Sequence, residues 1–347
     1  MSSAMQSAYG THRVIEPPGV LPQGAWKIDN SMAVGEREIL IDVVALNVDA
    51  ASFTQIKGEA GGDAGRVGEI VTDIVARRGK LHNPVTGSGG MLIGRVREIG
   101  QALAGKSDLK PGDRIATLVS LSLTPLRIDA IRAIHLDRDQ IEIDGQAILF
   151  ETGLYAVLPD DIPEKMALAI LDVAGAPAQT ARLVKSGNTV VVIGGGGKSG
   201  TLCVYEARKQ AGPSGRVIGV SPFASDCVRM RELGWVDHAL QVDAGNAVAM
   251  MEAVSAVTDG RMADVTINCV NIPGTEMGSI LATRDGGRIY FFSMATSFTA
   301  AALGAEGVGK DVEMIVGNGY ARGHAELALN LLRESETLRR LFEQRYV

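Results

Sequence analysis

The chain is short of cysteine, of paired metal ligands and of long apolar runs. Its three cysteines, Cys203, Cys227 and Cys269, contain no C-x-x-C pair. An odd, scattered set argues against a disulfide framework and for a reducing compartment. The five histidines, His12, His82, His135, His238 and His324, show neither H-E-x-x-H nor paired spacing, so no metal site is expected. No apolar run approaches the roughly 18 residues of a membrane span. The opening MSSAMQSAYGTHRVIE lacks the apolar stretch of a signal peptide. A soluble, cytoplasmic chain without a membrane partner is therefore expected. Net charge is −6, pI is about 5.5, and the longest basic run is Arg77-Arg78-Gly79-Lys80. That composition argues against a nucleic-acid partner.

What is present suffices for a large core. Hydrophobic residues make up 46% of the 347, a length that suggests two domains at roughly 100–200 residues each. The first half reads as irregular β. Residues 39–46 form an apolar strand, and 91–100 alternate toward their end as a half-buried strand does. Leu109-Lys110-Pro111-Gly112-Asp113-Arg114 is a turn leading into 115–119. Strands at this spacing suggest a partly open barrel. Residues 66–80 have helical spacing at Val67, Ile70, Val71, Ile74 and Val75.

The pattern changes near residue 160. Pro163 opens an apolar helix expected to reach Val184 and to stop at Lys185-Ser186-Gly187. Strands at 189–193, 216–220, 239–242, 263–268 and 287–292 then alternate with helices at 199–210, 224–233 and 246–257. That order predicts a parallel sheet covered on both faces. Residues 322–345 are helical, with Leu327, Leu331, Leu338 and Phe342 in phase. The predicted organisation is a catalytic domain at 1–158, a nucleotide domain at 159–321, and a helical segment at 322–347 packing back on the first domain.

The most specific signal is a glycine loop. Thr189–Ile193 runs into Gly194-Gly195-Gly196-Gly197-Lys198-Ser199-Gly200, where Gly195, Gly197 and Gly200 satisfy G-x-G-x-x-G. A buried strand before and a helix after supply the context that the motif needs. Glycine lets backbone amides approach a pyrophosphate, and the helix N-terminus favours the negative charge. Gly195, Gly197, Lys198, Ser199 and Gly200 are thus expected to hold a nicotinamide dinucleotide in a Rossmann-type, doubly wound sheet. Gly197-Lys198-Ser199 also invites a P-loop reading. That motif requires glycine five residues before Gly197, where Val192 stands. The second strand leads into Ser221-Pro222-Phe223, and the next acid is Asp226. A small Ser221 and no arginine in that turn lean toward NAD.

Hydride chemistry also requires a group that moves a proton. Asp49 and Ser52 follow the first apolar strand. Asp172 lies in the apolar helix between Leu171 and Val173, and Glu151 follows Ala147-Ile148-Leu149-Phe150. A carboxylate in such a setting is costly unless paired or solvated at a cleft. Each also has an ordinary reading as a cap, turn or hydrogen-bonded acid. Thr86-Gly87-Ser88-Gly89-Gly90 is a hydroxyl-bearing loop. Arg127 either grips a carboxylate by a bidentate pair or is a surface charge.

The order of barrel, then nucleotide domain, with the turn at 109–114, resembles the medium-chain dehydrogenase/reductase superfamily, whose first domain is GroES-like. Within it, the blocks at 9–23, 83–94, 116–129, 172–179, 268–271, 291–298, 304–311 and 317–320 are similar to the diaminohexanoate dehydrogenase family. The resemblance implies NAD-dependent oxidative deamination of a diamino acid in lysine fermentation, with ammonium and NADH as products. It implies Asp172 and Asp49 as catalytic bases and Glu151 beside the second ammonium. Arg127, or Thr86 and Ser88 near Ser52, would meet the substrate carboxylate. Asn268, Val270 and Ser293, at strand ends, would meet the ribose and nicotinamide, and Ser221 the adenosine side. The zinc-ligand positions of related alcohol dehydrogenases fall near Asp49, Gly89-Gly90-Met91 and Val173, which agrees with a zinc-free protein. Rival readings are a zinc-free enone or quinone reductase using NADPH, and a nucleotide-binding regulator without turnover. By analogy of fold a homo-oligomer is expected, with the strand at 287–292 as a candidate pairing edge.

Overall fold

The computed structural model describes residues 7–293, 295–317 and 319–347. It divides into two units, 1–164 and 165–347.

In the first unit, β1 (Val14–Glu16) and β2 (Lys27–Ile28) form a small antiparallel pair. The main sheet comprises β3 (Glu38–Asn47), β4 (Met91–Ile99), β5 (Arg114–Thr117), β6 (Leu126–His135), β7 (Gln140–Phe150) and β8 (Tyr155–Val157). Its order is β6-β7-β3-β4-β5-β8, antiparallel throughout. β3 slips register at Val43/Ala45 against both neighbours. A bulge of this kind bends the strand and curls the sheet, as a partly open barrel requires. Two helices connect β3 to β4. Asp49 caps α1 (Ala50–Glu59), and Asp63 caps α2 (Ala64–Arg78). Val67, Val71 and Val75 of α2 are buried in the sheet's core with Ile41, Leu46 and Leu92.

In the second unit, β9 (Thr189–Ile193), β10 (Arg216–Ser221), β11 (His238–Gln241), β12 (Ala263–Asn268), β13 (Thr283–Phe291) and β14 (Val312–Val316) are all parallel. Their order is β11-β10-β9-β12-β13-β14. Counted from β9 this is 3-2-1-4-5-6, the doubly wound dinucleotide-binding order. The uninterrupted apolar run of β9 follows from burial on both faces. Val190 and Val192 join one core cluster, Val191 and Ile193 the other. The helices are α3 (Glu164–Leu171), α4 (Gly175–Leu183), α5 (Lys198–Ala211), α6 (Ala224–Leu233), α7 (Ala247–Thr258), α8 (Glu276–Ala282), α9 (Phe298–Gly307), α10 (His324–Glu334) and α11 (Glu336–Tyr346). Among the described residues, no helix is long and apolar enough to cross a membrane.

Three expectations change. The helix expected at 163–184 is two helices with a break at 172–174. Pro177 cannot donate to the carbonyl four residues back, so α4 starts anew at Gly175. The strand near 287–292 is no edge, since β13 pairs with β12 and β14, and β14 is the edge. The terminal helices, expected against the first domain, are grouped with the second unit. There α10 packs on α4 and Arg345 donates to the Gly196 carbonyl at 2.9 Å.

A buried ion pair fastens the first segment to β3. Arg13 donates to Glu38 from Nε and Nη2, each at 2.6 Å, and His12 Nε2 and Gly35 N both lie 2.8 Å from the same carboxylate. Burial alone would raise the Glu38 pKa, but the Arg13 hydrogen bonds and charge, with Gly35 and His12, hold it below its ordinary value. Removing one partner of such a pair strands the other charge. Glu38→Gln is expected to cost roughly 3–5 kcal/mol, read by chemical denaturation at neutral pH. A depressed carboxylate stabilises above its unfolded pKa, and that gain is lost as pH falls through the folded value. The gap between wild type and variant should therefore narrow in acid, and a gap that widens would contradict this account.

Candidate functional site

In the first unit the site grows from the end of β3. The chain leaves the sheet at Asn47 and turns into α1 with Asp49 as N-cap. Asp49 Oδ1 accepts from Ser52 N at 2.9 Å, whereas Oδ2 is buried with no hydrogen-bond partner. The loop before β4 lies directly against this turn, since a Cβ on Gly90 would sit 2.7 Å from Asp49 N. That loop brings Thr86 Oγ1 to 2.5 Å from the Oγ of buried Ser52, and Ser88 N donates to Thr86 Oγ1 at 3.4 Å. Fully buried Asn83 braces both sides. Its Oδ1 accepts from Val85 N and Thr86 N, and its Nδ2 donates to Gln55 Oε1. Asp49, Ser52, Thr86 and Ser88 are therefore brought together. Beside the loop, burial and the charges of Lys80 and Arg78 push the His82 pKa down to about 4. A neutral ring results, its Nδ1 buried without a hydrogen-bond partner.

Arg127 and Glu151 are not brought to this cluster. Arg127 lies on the exposed face of β6, paired with Asp129 and Gln146 at 2.9 and 2.8 Å. Glu151 is paired with Arg37 at 2.5 Å. Asn47 stands opposite Gln140 and Glu38 opposite Phe150. Glu151 thus lies at the far end of β3 from Asp49, about 30 Å of strand away.

In the second unit the glycine loop joins β9 to α5. Gly194 takes a positive φ of 80°. A Cβ on Gly200 would lie 1.9 Å from the Gly194 carbonyl oxygen, so only glycine permits this approach of helix to strand. Gly197 caps α5 without a side-chain hydrogen bond. The helix's leading amides, with Lys198 and Ser199 in the first turn, are open to an anion. This fits a dinucleotide's pyrophosphate. Asp172, at the break between α3 and α4, accepts from Lys198 Nζ at 2.5 Å, and its side chain is 55% exposed. It is thus solvated and paired, and not enclosed by an apolar helix.

The strand ends gather on the same edge of the sheet, where Ile193 stands beside Asn268 and Asn268 beside Phe291. Val270 Cγ2 would lie 2.9 Å from a Cβ on Gly194. Ser293 Oγ donates to Asn271 Oδ1 at 3.4 Å and accepts from Ala295 N. Asn268 has its hydrogen bonds engaged internally with Thr275, Ser279 and Val270 N, and so shapes the turn. Ser221 Oγ donates to Asp226 Oδ2 at 2.8 Å. The Asp226 carboxyl lies against the glycine loop, 2.3 Å from where a Cβ on Gly196 would sit. The acid absent from the end of β10 is thus returned by the first turn of α6. Arg229, one turn on, pairs with Asp226 and donates to Gly196 O at 2.9 Å. The sequence marks Asp226 only as the next acid after Ser221 and does not mark Arg229. Among the described residues no three His, Cys, Asp or Glu side chains converge as metal ligands would.

The sequence profile of the L-erythro-3,5-diaminohexanoate dehydrogenase N-terminal domain matches residues 12–159. The chain is 59% identical over 339 residues to the L-erythro-3,5-diaminohexanoate dehydrogenase of Acetoanaerobium sticklandii, covering 98% of each chain. It is 58% identical to that of Fusobacterium nucleatum subsp. nucleatum, again over 98% of each. Among solved structures, a cinnamyl alcohol dehydrogenase from Sorghum bicolor superposes with a TM-score of 0.53 at 16% identity. It covers 88% of this chain and 82% of its own. The fold is that of the medium-chain dehydrogenases and reductases, GroES-like plus Rossmann. With whole-length identity near three-fifths, the chain belongs to the L-erythro-3,5-diaminohexanoate dehydrogenase family.

Proposed function

We propose that the protein oxidises L-erythro-3,5-diaminohexanoate with NAD and water to 5-amino-3-oxohexanoate, ammonium, NADH and a proton, a step of lysine fermentation in the cytoplasm. The observation that carries the amine reading is the buried Asp49 Oδ2 without a partner. An unpaired buried carboxylate oxygen is costly, and a substrate ammonium supplies the missing donor. A ketone or enone offers only an acceptor, which disfavours the reductase alternative.

The chemistry divides into separate tasks. The reacting ammonium must lose a proton before its carbon can release hydride, and Asp49 is the base for that loss. The bound dinucleotide supplies the hydride acceptor. Water then adds to the resulting iminium carbon, and the adduct expels ammonia. Asp172 is the second carboxylate available for that proton traffic. Ser52 and Thr86, already hydrogen-bonded to each other, offer hydroxyls to the substrate. Asp226 is the acceptor for the adenosine ribose, and it engages Arg229, the cation that would otherwise meet a 2′-phosphate, which favours NAD over NADP.

The direct test is NADH formation from synthetic 3,5-diaminohexanoate, with lysine and an enone as controls. Absence of NADH from the diamino acid, with turnover of the enone, would reverse the assignment. Asp49→Asn is expected to lower kcat by about 10²- to 10⁴-fold while NADH binding, followed by fluorescence, stays near wild type. Asp172→Asn is expected to lower kcat with the same sparing, and unimpaired turnover in either variant removes that residue from the mechanism. Gly200→Ala is expected to abolish NADH binding, because its methyl group meets the Gly194 carbonyl. Asp226→Ser should shift the NAD to NADP preference toward NADP by about tenfold or more, and an unaltered ratio would show that Asp226 does not read the ribose.

A further inference from the structure

The last turn of α11 lies on the glycine loop. Arg345 Nη1 donates to the Gly196 carbonyl at 2.9 Å, on the same oxygen that accepts from Arg229. The Tyr346 ring has Arg345 at 5.2 Å and Lys198 Nζ at 6.0 Å from its centroid. Burial raises the Tyr346 phenol pKa, which the charges of Arg345 and Arg229 lower and that of Asp226 raises, so these groups share one neighbourhood. Two donors there are buried with no acceptor, Tyr346 Oη and Arg229 Nε.

The charges point the same way. Lys198, Arg229 and Arg345 bring three cations to the uncapped start of α5, while Asp172 and Asp226 bring two acids. Each orphaned donor costs free energy unless an acceptor arrives. Excess positive charge beside a helix N-terminus favours an anion. A group with several acceptor oxygens and two negative charges answers both demands.

We infer that Arg345 and Tyr346 belong to the dinucleotide site and bind its ADP half, with the guanidinium and phenol donating to phosphate or ribose oxygens. This rests on the dinucleotide reading above and extends it to the C-terminal helix, which lies outside the strand-loop-helix motif that marks such sites in a sequence. The aromatic ring holds the Arg345 and Lys198 cations side by side by cation–π contact, which sets them in place before the ligand arrives.

Calorimetric titration with ADP-ribose tests the inference on the full-length protein. Tyr346→Phe keeps the ring against Phe342 and removes only the hydroxyl, so it isolates the donor from the packing. Its Kd for ADP-ribose should rise by about 5- to 30-fold, the loss of one or two hydrogen bonds. Arg345→Gln should raise it by about tenfold or more, with a steeper dependence on salt in wild type than in the variant. Thermal unfolding midpoints should stay close to wild type. Unchanged ADP-ribose affinity in both variants would reduce α11 to a structural brace and overturn the inference. Failure of wild type to bind either ADP-ribose or NADH would instead remove the dinucleotide reading, and this inference with it.

Discussion

The contact on which the second unit turns is the approach of α5 to the end of β9. At Gly200 the helix backbone lies so close to the Gly194 carbonyl that a single methyl group would occupy the same space. That proximity sets the helix axis at the strand end and aims the uncapped amides of its first turn at the space above the sheet. Everything else at the edge is arranged around this point. β12 and β13 end at the same level as β9, Val270 lies against Gly194, and Asp226 presses on Gly196. The order of strands makes the position a topological switch point, where neighbouring connections leave in opposite directions and a crevice opens.

The first unit solves a different problem with one residue. An N-cap carboxylate needs one oxygen to satisfy an orphan amide, and Asp49 spends Oδ1 on Ser52 N. Its other oxygen is left buried and free. The capping bond holds the carboxylate on the rigid start of α1, so the free oxygen has a fixed direction. Beside the facing loop, burial and the charges of Lys80 and Arg78 keep His82 neutral.

How much of this was legible in the sequence depends on the range over which each feature is decided. The strand, glycine loop and α5 are consecutive, and their pattern is local; so are α6 at 224–233 and α7, bounded by its Asn246 cap. β6 and β7 were not legible because their outward faces carry alternating charges, among them Arg127, Asp129, Arg132 and Asp144, that mask the apolar side. Arg127 and Glu151 show the related difficulty for sites. A charge beside an apolar run is visible, but which face it takes, and which end of a long strand it occupies, is set by register. The break at 172–174 is marked locally by Pro177, but the apolar residues on both sides read as one continuous helix.

The convergence on Gly196 is the clearest case of a feature decided at long range. Arg229 and Arg345 reach one carbonyl from helices separated by more than a hundred residues of chain. Each arginine, read alone, is a routine helical charge. Their meeting depends on α11 lying against the second unit, which in turn depends on α10 packing against α4. Two guanidiniums sharing one neutral carbonyl concentrate positive charge beside the loop. Asp226 supplies part of the opposing charge through Arg229. The phosphates of the proposed dinucleotide would add to it.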